Sequence, residues 1–143
     1  MGGQWSTYYY NGYIYGSEIA RGTDVLKLVP TKDLTQNEID AAAQVYLPEL
    51  NVQDQPHIDY PMTFVTAKAY LDQLARGSSL KADKIAAINA DIDAKNIKKL
   101  HADAKTAEKA AAAAKTPEDA DRLHALSKIL VSDGVGTAKA TGE

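Results

Sequence analysis

The sequence predicts an α+β protein: a small three-stranded antiparallel meander followed by a bundle of about four helices. Three observations carry this. Five of the eight tyrosines and the single tryptophan stand before Pro30, while almost all the alanine stands after it. Aromatic residues favour strands and alanine favours helices. Asn11-Gly12 lies between two strand-like runs, and both central residues of a type I′ turn need the positive φ that Asn and Gly tolerate best. After Pro30 the apolar residues take up a helical period.

The elements follow in order. Trp5 to Tyr10 and Tyr13 to Ser17 read as the two arms of a hairpin. A two-residue loop pairs Tyr10 with Tyr13, Tyr9 with Ile14 and Tyr8 with Tyr15. Alternation then puts Tyr8, Tyr10, Tyr13 and Tyr15 on one face, and Trp5, Thr7, Tyr9 and Ile14 on the other. Arg21-Gly22 marks a second turn before a strand from Thr23 to Leu28. Thr35 and Glu38 have the spacing of a capping box. Ile39, Ala42, Ala43 and Tyr46 share a face of the helix that follows, and Pro48 stops it. Residues 48–61 carry Pro48, Pro56 and Pro61, which suggests an extended strap touching other elements through Leu50, Val52 and Ile58.

A second helix is expected from Thr63 to Arg76, with Phe64, Ala67, Leu71 and Leu74 as its stripe and Gly77 as a left-handed cap. A third begins near Ser79 with Ile85, Ile88 and Ile92, and either continues to Lys115 or breaks near Asn96. Thr116-Pro117-Glu118-Asp119 is a strong helix start: an N-cap, a first-turn proline and acids at the positive end. The last helix buries Ala120, Leu123, Leu126 and Leu130. The organisation is therefore a meander over residues 1–30, a helical domain over 31–133 and a disordered tail over 134–143.

With 45% hydrophobic and 24% charged residues the chain is not disordered as a whole. A net charge of −3 argues against a general nucleic-acid binder. The absence of cysteine excludes disulfides, thiolate nucleophiles and zinc ribbons. No apolar run approaches the roughly 18 residues of a membrane-spanning helix, and the first residues show no signal peptide.

Residues 3–25, with Trp5-Ser6-Thr7-Tyr8-Tyr9-Tyr10-Asn11-Gly12-Tyr13-Ile14-Tyr15-Gly16-Ser17 at their centre, resemble the end of LVIVD-repeat proteins. Leu34-Thr35-Gln36-Asn37-Glu38-Ile39-Asp40-Ala41-Ala42 and Ala69-Tyr70-Leu71-Asp72-Gln73-Leu74-Ala75-Arg76 are similar to the helical extension of that family. The resemblance spans most of residues 3–76. It implies a C-terminal fragment of a secreted bacterial β-propeller protein, the end of the last blade plus the extension, located extracellularly or at the cell surface. It implies no catalytic residues. A blade is sandwiched between neighbours, which agrees with a hairpin whose two faces are both aromatic or apolar. Helices could cover one such face, and the other needs a neighbour.

Other motifs read as structure. Gly2 and Ser6 fit an acylation pattern, but the same residues fit a strand. His57 with Asp54 and Asp59 could hold a metal, though solvated loop residues are the better reading, and His101 and His124 have no helical partner histidine. Tyr15-Gly16-Ser17-Glu18-Ile19 lacks the glycines of a nucleophile elbow. Gly134-Val135-Gly136 opens no helix and is no phosphate loop. Asp91 and Asp93 point different ways on a helix. Lys95, Lys98, Lys99, Lys105, Lys109 and Lys115 lack interleaved aromatics and read as a solvated face.

The expectation is a non-enzymatic structural or interaction module without a cofactor. Its binding residues are Trp5, Tyr8, Tyr9, Tyr10, Tyr13 and Tyr15, and it meets a protein partner or a second copy through the N-terminal sheet. The alternative is a carbohydrate- or ligand-binding module that uses the same aromatic residues.

Overall fold

The computed structural model describes residues 2–53 and 57–135. Its elements are β1 (Gln4–Tyr10), β2 (Tyr13–Glu18), β3 (Gly22–Lys27), α1 (Gln36–Ala43), α2 (Phe64–Gly77), α3 (Ala82–Asp93), α4 (Ile97–Ala111) and α5 (Pro117–Val131). This is the α+β order, three antiparallel strands and then helices. Among the described residues there are five helices, because the chain breaks between α3 and α4. Lys95 is left-handed there, at φ 49°, and the Asn96 side chain accepts from the Lys99 N–H to start α4.

The described residues form two compact units, one ending at Tyr60 and one beginning at Pro61. Composition alone placed the boundary at residue 30. α1 and the residues after it group instead with the sheet. The Asn11 side chain explains part of this: Nδ2 donates to the Leu47 carbonyl (2.8 Å) while Oδ1 accepts from the Leu47 N–H (2.9 Å). The Tyr10 hydroxyl donates to the same carbonyl at 2.9 Å.

In the first unit the sheet order is β1-β2-β3. Asn11 and Gly12 take φ values of 47° and 91°, as a type I′ turn requires. Tyr8 pairs with Tyr15, Tyr9 with Ile14 and Tyr10 with Tyr13, and the register slips between Gln4 and Ser6. Trp5 is thus the extra residue of a bulge, which sequence alternation could not foresee. The capping box of α1 is complete: Thr35 accepts from the Glu38 N–H and Glu38 from the Thr35 N–H. α1 ends at Ala43, well before Pro48. Tyr46 therefore lies outside the helical period and is 70% exposed, while Ile39 and Ala41 are the residues α1 buries. Along the expected strap, Val52 and Ile58 are exposed and Leu50 is half-buried. Pro56 lies outside the described residues.

The second unit holds the hydrophobic core. Ala67, Leu71 and Leu74 of α2, Ile88 and Ile92 of α3, Leu100, Ala104, Ala107 and Ala111 of α4, and Leu123, Leu126, Ile129 and Leu130 of α5 form one cluster. Phe64, Tyr70 and Ile85 pack on it, half-buried. Small alanines along α4 let α5 approach closely. These two helices run antiparallel, with His101 beside Asp133 and His124 beside Glu108, both at 2.9 Å.

Two glycines act otherwise than the sequence suggested. The left-handed residue after α2 is Ser78, at φ 56°, not Gly77. Gly77 is small for another reason: a Cβ there would stand 2.8 Å from Asp119 Oδ2. Asp119 is buried at the start of α5, where it accepts from the Ser79 hydroxyl and from Arg122 Nη1 (2.8 Å). Gly134, expected to open the tail, is fixed. Its N–H donates to the Ile129 carbonyl (3.1 Å). Its φ is 65°, and an added Cβ would meet the Phe64 ring at 2.7 Å. The remainder of the expected tail, residues 136–143, lies outside the described residues.

Leu126 is fully buried, so Leu126→Ala is expected to cost about 2–5 kcal/mol in urea unfolding of the full chain. Gly134→Ala combines left-handed backbone with a clash against an aromatic ring, and should cost about 1–3 kcal/mol in the same assay. A cost no larger than the ~1 kcal/mol of left-handed backbone alone would show that Phe64 turns aside freely.

Candidate functional site

The N-terminal sheet carries all six expected binding residues, and its register fixes which of them share a face. Tyr8, Tyr15 and Val25 form one row across the three strands, and Tyr10, Tyr13 and Lys27 run alongside. Tyr9, Ile14 and Leu26 form a row on the opposite face. Tyr10 and Tyr15 touch as a tilted aromatic pair, with centroids 6.2 Å apart, the arrangement that ring quadrupoles favour.

α1 makes no close backbone approach to β1, β2 or β3. Tyr8 (43%), Tyr13 (45%) and Val25 (56%) are exposed on one face. Tyr9 (39%) and Leu26 (47%) are exposed on the other. Trp5, on its bulge, is the most exposed of the aromatic candidates. Tyr10 and Tyr15 are half-buried. The Tyr9 phenol is raised above its ordinary value, first by burial and then by the nearby Tyr60 hydroxyl.

The far end of the sheet is held by a carboxylate that sequence reasoning missed. Glu18 is buried, and backbone N–H groups converge on it. Gly3 donates to Oε1 (3.0 Å), while Ala20 (2.8 Å) and Arg21 (2.6 Å) donate to Oε2. Ile19 N–H donates back to the Gly3 carbonyl at 3.0 Å. These bonds hold the Glu18 carboxyl below its usual range, the Gly3 and Ala20 N–H groups foremost. Beside it the Gln4 side chain lies across Gly16, where an added Cβ would come within 2.8 Å of the amide carbon, and accepts from the Thr7 hydroxyl at 2.7 Å. Arg21 donates to Asp24 at 2.9 Å. Gln4, Glu18, Arg21 and Asp24 line a shallow open cleft of about 490 Å³. Glu18 and Asp24 there already accept from backbone and Arg21 donors.

The remaining candidates stay apart. His57 lies 3.4 Å from Asp59, and Asp54 is outside the described residues. Among the described residues no three metal-ligating side chains converge. Met1 of the acylation pattern is also outside them. Asp91 pairs with Lys99 (3.3 Å) and Asp93 with Lys68 (2.6 Å), so these two acids do serve different helices. The carboxylates that influence each other are Asp91 and Asp103, on α3 and α4. Burial, and then Asp91, raise the Asp103 carboxyl, against the pull of Lys84 and Lys99. Its Oδ2 is buried and accepts no hydrogen bond from the described residues.

Opposite pH responses follow for the two units. The lowered carboxyl of Glu18 supports its unit above the unfolded value of about 4.3, and that support is lost as the pH falls through the lower folded value. The protection of the Gly3, Ala20 and Arg21 amides, relative to their intrinsic exchange rates, should fall on acidification, and Glu18→Gln should lower it at neutral pH. Asp103 works the other way: its raised carboxyl leaves a penalty that sets in as the pH rises above the unfolded value and is complete once the pH has passed the folded one. Asp103→Asn is therefore expected to stabilise the chain at pH 7, by roughly 0.2–1 kcal/mol, and to do nothing at pH 3. Equal effects at both pH values would contradict the assignment.

Comparison with protein-family models, curated proteins and solved structures gives no match to this chain.

Proposed function

We propose that this chain is a non-enzymatic structural or interaction module that acts through its N-terminal sheet. One observation carries the reading: the sheet exposes aromatic and branched side chains on both faces, while the buried cluster of the chain lies wholly in α2 to α5 and the α2–α3 turn. An antiparallel sheet that faces water on one side normally shows a polar face there. Fully burying a large apolar side chain gains roughly 1.5–3 kcal/mol. Tyr8, Tyr9, Tyr13, Val25 and Leu26, each left about half in water, therefore represent a large gain available to any partner that covers them. The bonds that order the sheet are polar: the Glu18 clasp and the Asn11–Leu47 pair. They shape the surface without covering it.

The resemblance of residues 3–76 to the end of LVIVD-repeat proteins supports the same reading. In that setting the three strands belong to a terminal propeller blade of a secreted bacterial protein, and a neighbouring sheet supplies the missing cover. A second reading, a carbohydrate- or ligand-binding module, draws on the flat exposed rings of Trp5 and Tyr13.

Amide exchange on the dilute full chain tests the proposal. The strands should exchange at least ~100-fold faster than the centres of α4 and α5, since local opening needs little apolar surface to be broken. Protection of the strands equal to that of α5 would mean that the sheet needs no cover. Saturable oligosaccharide binding that Tyr13→Ala abolishes would transfer the assignment to the second reading.

A further inference from the structure

We infer that the sheet adds a second copy of the chain edge to edge through β1, extending its aromatic rows rather than capping its faces; the inference rests on the sheet being the interaction surface. The two sheet edges differ in chemistry. β3 carries Asp24 and Lys27, charges of the kind that keep an edge strand from pairing further. β1 reads Gln-Trp-Ser-Thr-Tyr-Tyr-Tyr, with neither charge nor proline. Its one interruption is the bulge at Trp5, which leaves Ser6–Tyr10 as regular strand. Thr7, Tyr8 and Tyr9 within that stretch are exposed.

A closed pair of identical chains needs a self-complementary patch about a two-fold axis. Antiparallel pairing of Ser6–Tyr10 with its own copy puts that axis at Tyr8. Ser6 then faces Tyr10 of the second copy, Thr7 faces Tyr9, and Tyr8 faces Tyr8. Every tyrosine of the strand meets a hydroxyl side chain or another ring, and no charge meets a like charge. The row Val25–Tyr15–Tyr8 continues into its symmetry mate, giving four adjacent tyrosines across a six-stranded sheet. Aromatic cross-strand pairs are among the contacts that stabilise sheets.

Charge distinguishes this partner from a basic foreign one. Residues 1–60 contain eight acidic and three basic residues. A basic partner would be drawn to them and released by salt. Two copies repel each other at long range while meeting at a neutral edge, so their association tightens as salt screens the repulsion.

The chain has no cysteine, so an introduced thiol reports one position. Residues directly opposite in an antiparallel pair have Cα atoms about 4.5–5.5 Å apart, within the range a disulfide spans. On mild oxidation of the full chain, Tyr8→Cys is expected to give a covalent dimer, and Val25→Cys, in the same row on the other edge, is expected to give none. Light scattering on the unmodified chain should show mass rising toward a dimer with concentration, and more readily at 0.5 M than at 0.05 M salt. Thr7→Lys, which leaves the tyrosines in place, should keep the circular dichroism spectrum and abolish the dimer; it decides the matter if Tyr8→Cys does not fold. A chain that stays monomeric at every concentration overturns the inference, and the amide-exchange result then tells whether the sheet still awaits a different partner. A dimer locked by Val25→Cys, or left intact by Thr7→Lys, overturns it as well.

Discussion

Burial of leucine and isoleucine among α2, α3, α4 and α5 is the constraint on which the helical unit depends. Leu71, Leu74, Ile88, Leu100, Leu123, Leu126, Ile129 and Leu130 are the largest fully buried side chains, and all lie in these helices. The alanines of α4 contribute by being small. Ala104, Ala107 and Ala111 sit on its buried side and let leucines of α5 fill the space that larger residues would occupy. A core of this kind tolerates little change in volume, which is why Gly77 and Gly134 are constrained by their neighbours as well as by their backbone.

The sheet is organised on a different principle. It has few buried apolar side chains, and its order comes from hydrogen bonds that backbone and short polar side chains close over one another. Glu18 gathers the N–H groups of Gly3, Ala20 and Arg21 at one end. At the other end Asn11 exchanges two hydrogen bonds with Leu47. Such bonds are directional and specify geometry well, yet they take little apolar surface out of water. A surface that is well shaped but weakly covered is suited to completion by another sheet, and β1 is the edge strand without charge.

Much of this was legible in the sequence because the signals were local. Asn11-Gly12 determines the hairpin turn, and with it the pairing of Tyr8, Tyr9 and Tyr10, because few other dipeptides accept two successive positive φ angles. Thr35 with Glu38, and Thr116 with Pro117, determine two helix starts, since a cap and its helix lie within four residues. The stripes Ala67–Leu71–Leu74 and Leu123–Leu126–Leu130 follow from helical period alone. The six aromatic residues of the sheet were likewise visible as a cluster before Pro30.

Only the tertiary structure decided the rest, because the causes lie far apart in the chain. Asp119 comes to Gly77 and Ser79 from about forty residues away, so the reason Gly77 has no side chain lies outside any window of sequence around it. The bulge at Trp5 depends on how Gln4 meets Glu18 across the ladder, and alternation within one strand cannot register it. Glu18 stood just past the strand the sequence predicts; Ala20 and Arg21 are its neighbours in the turn, but Gly3 reaches it from fifteen residues away only when the strands pair. Sequence determined which residues are apolar, where the turns fall and where helices begin. Folding decided which apolar residues found cover, because burial is a property of neighbours and the neighbours are set by long-range packing.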